Sequence, residues 1–240
     1  MTQKLLTFLL TLAAAATTAH AEIEPSARAL ALSVQEALGQ AKTIRMTAQH
    51  TINPNRGFGI KLKQGPLAIT VKRPNQFFAV QQAGTNTREI SFNGREFCMM
   101  HPQLNHHALV PLAASSIEEF TDRMDEQFGF RPPVAELLAS DLSSQLFMHV
   151  TSATVTGREF VGWTRCERLH FEQPGMAGDL WVGVKDKLPR RYQLTFTDLP
   201  HQPRWDIRFT QWELNAPTDD SLFSKRPAPE SIKVEMFKSR

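Results

Sequence analysis

The stretch REISFNGREFCMMH, residues 88–101, decides the fold class of this chain. Two strand-like segments, 88–92 and 95–101, flank Asn93-Gly94, and both of these residues tolerate the positive φ of a type I′ turn. A turn this tight can join only antiparallel strands, because parallel strands need a long crossover. The stretch therefore predicts a β-hairpin and, with it, an antiparallel sheet.

Further strand-like segments lie on both sides of this hairpin. Apolar residues alternate with polar ones, as with Tyr192, Leu194 and Phe196, and this period of two indicates strands with one apolar face. Before the centre of the chain the predicted strands are 44–52, 57–63, 76–82 and 106–110, with another from Leu67 to Arg73 after an interruption at Gly65-Pro66. After the centre they are 151–160, 164–171, 178–184, 190–197 and 204–214. The connections are too short for crossover helices, so about 11 to 12 strands should form an antiparallel meander.

Helical patterns occur at the start and in the middle of the chain. Residues 25–42 repeat apolar side chains at spacings of three and four, and Ser26 can cap this helix. Ser115 and Ser116 precede Glu118 and Glu119 by three residues, which makes two overlapping capping boxes for a helix that ends near Gly129. Two shorter helices are predicted at 132–140 and 142–149. An α+β fold follows, with helices covering the apolar face of the sheet.

The N-terminus reads as an export signal. Lys4 precedes an apolar stretch from Leu5 to Ala16, and Ala19-His20-Ala21 is a small-residue cleavage site. We therefore expect residues 1–21 to be a bacterial signal peptide and residues 22–240 to be one soluble domain in the periplasm. No other apolar run approaches the roughly 20 residues of a membrane span, so the chain should not be an integral membrane protein.

Composition excludes two further classes of protein. The 240 residues carry 27 Lys+Arg against 24 Asp+Glu, and this near balance of charge does not favour binding of nucleic acid. The 16 Phe and a charged fraction of only 21% are typical of a folded domain rather than a disordered chain.

The order of elements, with several short motifs, resembles the LolA-like half-barrel proteins, which include the periplasmic carrier of outer-membrane lipoproteins. More specifically, the chain resembles an uncharacterised family of predicted periplasmic proteins that shares this fold. The motifs are Phe92-Asn93-Gly94-Arg95, PVAELLASD at 133–141, Gly162 through Cys166 to Leu169-His170-Phe171, Leu180-Trp181, Leu188-Pro189-Arg190, Trp212 with Asn215, and Asp220-Ser221-Leu222-Phe223 with Pro227 and Pro229. The resemblance implies a curved antiparallel sheet, an incomplete barrel, whose concave face is covered by an N-terminal helix and a central helical insertion.

A cavity on that concave face would suit a lipid or the acyl chain of a lipoprotein, since each buried methylene contributes about 0.8 kcal/mol. The alternative is that the same apolar side chains fill a solid core. The expected lining residues are Phe58, Ile60, Leu62, Ile69, Val71, Phe77, Val80, Met124, Phe128, Met148, Leu169, Phe171, Leu180, Leu194 and Phe196.

No enzyme motif is present in the sequence: there is no Gly-x-Ser-x-Gly elbow, P-loop, dinucleotide fingerprint or His-Glu-x-x-His. We therefore expect a non-catalytic protein without a cofactor. His101, His106 and His107 lie near Cys98, but adjacent histidines in a strand point to opposite faces, so we expect no metal site. The acidic residues of the central helix, 118–126, are interpreted as a solvated face, with partner docking as the alternative.

A second class of function is compatible with the same fold. The protein could be a periplasmic interaction or sensing module, a regulatory subunit that binds a periplasmic or membrane-protein partner, as relatives of the carrier do. Tryptophans that fill the cavity would favour this function; the chain has four, at 163, 181, 205 and 212.

The two cysteines, Cys98 and Cys166, remain open to two interpretations. An oxidising compartment permits a disulfide, which would stabilise the fold by roughly 4 kcal/mol in the chain-entropy model. The alternative is two separate buried thiols.

Overall fold

The computed structural model of the chain describes residues 22–53 and 63–238. In chain order the elements are β1 (Glu22–Ile23), α1 (Pro25–Gly39), β2 (Thr43–Asn53), β3 (Lys63–Lys72), β4 (Gln76–Ala83), β5 (Asn86–Phe92), β6 (Glu96–His101), β7 (His106–Pro111), α2 (Ile117–Phe128), α3 (Ala135–Leu138), α4 (Leu142–Phe147), β8 (Ser152–Val161), β9 (Thr164–Gln173), β10 (Met176–Gly183), β11 (Pro189–Phe196), β12 (Arg204–Leu214) and β13 (Ile232–Lys233). Short 3-10 helices span Pro102–Leu104 and Asp220–Ser224.

The strands form a single curved sheet that does not close. Its order is β1-β8-β9-β10-β11-β12-β2-β3-β4-β5-β6-β7-β13, so β12 and β2 join the two meanders side by side. Every pairing is antiparallel except at the two edges, where β1 pairs with β8 and β13 with β7 in parallel. The α+β half-barrel expected from the sequence is confirmed, and within the described residues it has 13 strands because of these two short edge strands.

The hairpin at 88–101 forms as expected, but its turn differs from type I′. Gly94 has a positive φ of 93°, whereas Asn93 does not have one. The Asn93 carboxamide oxygen instead accepts hydrogen bonds from the backbone N–H groups of Arg95 (3.0 Å) and Glu96 (2.9 Å). Asn therefore stabilises this turn through its side chain rather than through a left-handed backbone.

Gly65-Pro66 lies within β3 and does not interrupt it, contrary to the sequence interpretation. Pro66 pairs with Gln49 on β2, while the ladder to β4 begins only at Leu67, so the missing N–H of proline removes no bond to β4. At Gly65 an added Cβ would lie 2.5 Å from the Gln82 carbonyl oxygen. Glycine is thus required for this close backbone approach. The strand expected at 57–63 lies, apart from Lys63, outside the described residues.

Helices α1 and α2 are anchored on the concave face through apolar side chains. Leu30, Val34 and Leu38 of α1 are buried against the sheet, as is Phe120 of α2. Ser116 caps α2 by accepting a hydrogen bond from the Glu119 N–H, as its capping box predicts. No helix among the described residues is long and apolar enough to cross a membrane.

Two other helix predictions were inexact. The residue that precedes α1 is Glu24, and Pro25 occupies its first turn, so Ser26 does not cap it. Of the predicted helix 132–140 only Ala135–Leu138 is helical, because Val134 takes a left-handed conformation immediately before it. The central insertion therefore contains more irregular chain than its sequence suggested.

Candidate functional site

A cavity of about 570 Å³ lies between the helical insertion and the ends of β9–β12. Its floor is mostly apolar and consists of Phe171, Met176, Tyr192, Leu194, Phe196 and Trp205. Leu194 and Trp205 are cross-strand partners on β11 and β12, which places their side chains next to each other on the concave face. The volume falls within the roughly 300–1,000 Å³ of typical small-molecule sites.

The roof comes from the segment between α2 and the end of α4. It includes Arg131, Pro132, Val134, Glu136, Leu146 and Met148. Val134 is buried and has φ 50°, a left-handed conformation that β-branched residues rarely adopt. Such backbone strain costs on the order of 1–3 kcal/mol and persists where the surrounding structure enforces it. The roof is therefore held in a shape that its local sequence does not prefer.

Hydrogen bonds to α1 and α2 fix the insertion in place. Glu118 of α2 accepts a hydrogen bond from the Ser140 hydroxyl (2.6 Å), and the Gln35 side chain of α1 accepts one from the Ser143 N–H (2.9 Å). Burial opposes ionisation of Glu118, but its hydrogen bonds, with Ser140 foremost, leave its pKa below the ordinary value. The roof is thus tied to both neighbouring helices.

One ionisable pair, a buried tyrosine and a partly buried glutamate, lies in the wall of the cavity. The Glu136 carboxyl faces the hydroxyl of Tyr192, which is 2% exposed. Burial raises the pKa of Glu136, and hydrogen bonds from its own backbone N–H and from Tyr192 only partly offset this rise. Burial, with the charge of Glu136 as a further cause, raises the pKa of Tyr192. Both shifts have the same main cause, because the apolar wall disfavours the charged form of each group.

At the rim of the cavity, Arg131 and Asp125 form an ion pair of 3.0 Å with both side chains 42% exposed. Surface pairs of this kind contribute little to stability. The pair instead leaves the entrance polar, while the floor below it stays apolar.

The structure divides the fifteen predicted lining residues into four groups. Met148, Phe171, Leu194 and Phe196 line the cavity. Six others are part of a filled core: Ile69, Val71, Phe77, Met124, Leu169 and Leu180. Phe128 is partly buried against that core, and Val80 lies on the opposite face from Phe77, since three residues along a strand reverse the face. Phe58, Ile60 and Leu62 lie outside the described residues. Around the six core residues the sheet thus has the solid core that the sequence left open as an alternative.

The four tryptophans occupy four different environments. Trp205 alone lines the cavity, and its indole N–H is buried without an acceptor among the described residues. Trp181 lies on the convex face, where Arg168 and Arg191 stack over its ring at 5.2 and 4.5 Å. The Trp212 indole donates to the Pro189 carbonyl (2.9 Å), and Trp163 is fully exposed in a hairpin turn. The tryptophans therefore do not fill the cavity.

Both cysteines are buried and free in the structure. Cys98 is on β6 and Cys166 on β9, and seven strands separate them in the sheet. The structure therefore agrees with the second interpretation, two separate buried thiols. Burial raises the pKa of Cys98 to about 11, which makes it a poor nucleophile at neutral pH.

The histidines near Cys98 do not converge. His101 and His106 are cross-strand partners, whereas His107 lies on the other face and contacts the Ser231 hydroxyl at 3.0 Å. In the part of the chain that the structure describes, no three His, Cys, Asp or Glu side chains form a group that could hold a metal.

Sequence reasoning missed several wall residues, of which Glu136, Tyr192 and Trp205 matter most. Tyr192 is the single tyrosine of the chain and alternates with two expected lining residues, Leu194 and Phe196. Glu136 is an acid within the apolar segment 133–139. Tyr192 and Glu136 are thus both conspicuous in the sequence, but only the packing of the insertion against the sheet shows that their side chains face each other.

Solved structures with a similar fold include proteins from three bacteria. The lipoprotein LppX of Mycobacterium tuberculosis has 13% identity and a TM-score of 0.48, over 82% of this chain and 98% of LppX. A LolA superfamily protein of Nitrosomonas europaea has 10% identity and a TM-score of 0.39, over 84% and 99% of the two chains. The MucA/MucB complex of Pseudomonas aeruginosa has 15% identity and a TM-score of 0.46, over 85% of this chain and 62% of that one.

No curated protein matches the chain by sequence. A family model does match, over residues 27–237, and its description is "Predicted periplasmic protein (DUF2092)". This description agrees with the periplasmic location expected from the sequence. The match covers most of the chain, and the protein is therefore a member of the DUF2092 family of predicted periplasmic proteins.

Proposed function

We propose that this protein binds an apolar ligand, a lipid or the acyl chain of a lipoprotein, in the cavity beneath its helical insertion, and that it does so without catalysis. The observation that carries the proposal is the cavity of about 570 Å³ with an apolar floor and a polar entrance. A chain of methylenes on that floor would gain about 0.8 kcal/mol for each group buried, so a handful suffices for useful affinity. The strained roof at Val134 supports the same function, because unfavourable backbone conformations concentrate at ligand sites.

The first test is native mass spectrometry of the protein purified from periplasm, followed by denaturing extraction and lipid analysis. The expected result is a bound lipid or acylated peptide at one equivalent. If the protein is free of ligand, and also fails to bind added fatty acid, the proposal is refuted.

A second test fills the cavity. Leu194→Trp adds bulk to the floor, where Leu194 is only 7% exposed, and should reduce binding of an apolar dye at least tenfold. The matched control is Leu214→Trp, at the far end of β12, where the side chain is 37% exposed. Binding that survives Leu194→Trp unchanged would exclude the cavity as the site.

A second candidate function, a protein-interaction module, is favoured by a different surface. Phe160 and Trp163, which are 68% and 101% exposed, lie at the tip of the β8–β9 hairpin. Two large aromatic side chains with this much exposed surface are typical of contact sites. Photocrosslinking in the periplasm from position 163, compared with position 104, where Leu104 is 55% exposed, would show a discrete partner only at the first position. Equal or absent crosslinking at both positions would remove this candidate.

A further inference from the structure

The cavity continues into a second recess along the open end of the sheet. This recess of about 300 Å³ shares Arg131, Phe196 and Trp205 with the cavity, and a third of about 290 Å³ shares Ile52 and Gln81 with the second. All three lie at the same end of the concave face. A ligand that fills the cavity can therefore extend along this groove.

The groove changes from apolar to basic at Arg88. Arg88 lies on β5 opposite Gln81 and lines both the second and the third recess. Its guanidinium has no neutralising partner among the described residues: it donates to the Gln81 side chain and stacks on the Phe130 ring, 5.3 Å from the ring centre. Both neighbours are uncharged, so the position of the guanidinium is fixed without neutralising its charge.

No acidic side chain compensates Arg88. None of the described carboxylates forms an ion pair with it, and the residues outside the described ranges, 1–21, 54–62 and 239–240, contain no Asp or Glu. Its neighbour Glu89 points to the other face of the strand. Burial lowers the pKa of Arg88, but an arginine stays charged in proteins. A partly buried cation without a counter-ion is costly, and an anionic ligand would remove that cost.

A second polar group in the same recess also lacks a partner. The Trp205 indole N–H is buried and meets no acceptor within the described residues. Trp205 lines both the cavity and the second recess, so its side chain lies where the two join. Indole nitrogen is a donor only, and a ligand oxygen would satisfy it.

We propose that the ligand is an anionic amphiphile: its chain occupies the cavity, and its carboxylate or phosphate head group binds Arg88 and the Trp205 indole N–H in the adjoining recess. This inference rests on the proposed function, because it assigns the head group of the same ligand. Arginine suits the role, since its planar guanidinium can donate two parallel hydrogen bonds to a carboxylate or phosphate.

The test compares three probes by calorimetry on the full protein: dodecyl phosphate, 1-dodecanol with the same chain but a neutral head, and inorganic phosphate without a chain. Dodecyl phosphate should bind at least tenfold more tightly than dodecanol, a difference of about 1.4 kcal/mol. Inorganic phosphate alone should bind far more weakly than either. Added salt should reduce the preference for the anion.

Variants of Arg88 test whether the preference for dodecyl phosphate over dodecanol arises in the recess. Arg88→Gln should abolish the tenfold preference for dodecyl phosphate over dodecanol, while Arg88→Lys should retain part of it. The matched control is Arg165→Gln, an exposed arginine at the opposite end of the sheet, which should behave as wild type. Because Lys keeps the charge, it also separates loss of the head-group site from a general folding defect.

The outcomes distinguish the two proposals. Equal affinity of the wild-type protein for dodecyl phosphate and dodecanol would overturn the head-group site and leave the apolar cavity intact. Failure to bind either would overturn both. If inorganic phosphate bound as tightly as dodecyl phosphate, the recess would be a site for a free anion, and the amphiphile assignment would be wrong.

Discussion

Replacing Phe120 by alanine should strongly destabilise the protein, because this side chain anchors α2 to the sheet. Phe120 is fully buried, and its ring stacks on Phe92 with centroids 4.1 Å apart and planes 7° apart. It also contacts the rings of Phe77 at 5.8 Å and Phe97 at 6.1 Å. One side chain of α2 therefore joins three strands of the first meander.

The expected loss is about 4 kcal/mol. Truncation of a buried Phe to Ala costs about 3–5 kcal/mol, and each aromatic contact contributes about 0.5–1.5 kcal/mol within that total. Phe128→Ala on the same helix provides a matched control. Phe128 is only partly buried, so we expect a loss of about 1 kcal/mol.

Urea unfolding followed by circular dichroism measures both variants. With a slope of about 2–3 kcal/mol per molar urea, Phe120→Ala should lower the midpoint by about 1–2 M. The slope should stay unchanged, which would show that the variant folds to an equally compact state. If Phe120→Ala lost no more stability than Phe128→Ala, α2 would not be held by the aromatic cluster and this reasoning would be refuted.

Three further predictions concern an acid, a glycine and the thiols. Burial raises the pKa of Glu136 above 4.5, so its contribution to stability is present below pH 4.5 and is lost as the pH rises. Glu136→Gln should therefore raise the melting temperature at pH 8 more than at pH 4. An equal rise at both pH values would contradict this. Gly178→Ala would place a Cβ 2.0 Å from the Phe171 ring and should lower the free energy of unfolding by about 1–3 kcal/mol. Gly39→Ala, whose Cβ would have no atom within 4 Å, should leave the free energy of unfolding unchanged in the same urea assay. Thiol titration of denatured, unreduced protein should find both Cys98 and Cys166 free, with slow reaction in the native state; no free thiol would mean a bridge.

Local sequence signals were sufficient for most of the fold. The Asn93-Gly94 turn, the capping Ser116 and the stop at Gly129 each depend on interactions within a few residues, and each occurs in the structure. Features that depend on residues distant in the sequence were harder to predict. Pro66 is tolerated because the ladder to β4 starts one residue later, which no pattern around Pro66 shows. The edge strands β1 and β13, of two residues each, are too short to show a period.

The site was harder to predict than the fold for the same physical reason. Phe77 and Phe196 both occur in alternating strands, yet one is packed under α2 and the other lines the cavity. Alternation shows which face a side chain takes, but the position of the helical insertion decides whether that face is filled. That position depends on contacts such as Glu118 with Ser140 and Gln35 with Ser143, which join distant parts of the sequence.

The separate environments of the tryptophans give the protein an internal optical probe. Trp205 borders the cavity, whereas Trp163, Trp181 and Trp212 lie away from it. A fatty acid that carries a bromine or nitroxide quenches only the indoles that it contacts, so it would quench one emitter and leave the other three as a constant reference. The quenched fraction reports occupancy directly in the unlabelled protein, and the depth of the label along the chain reports how far the ligand reaches.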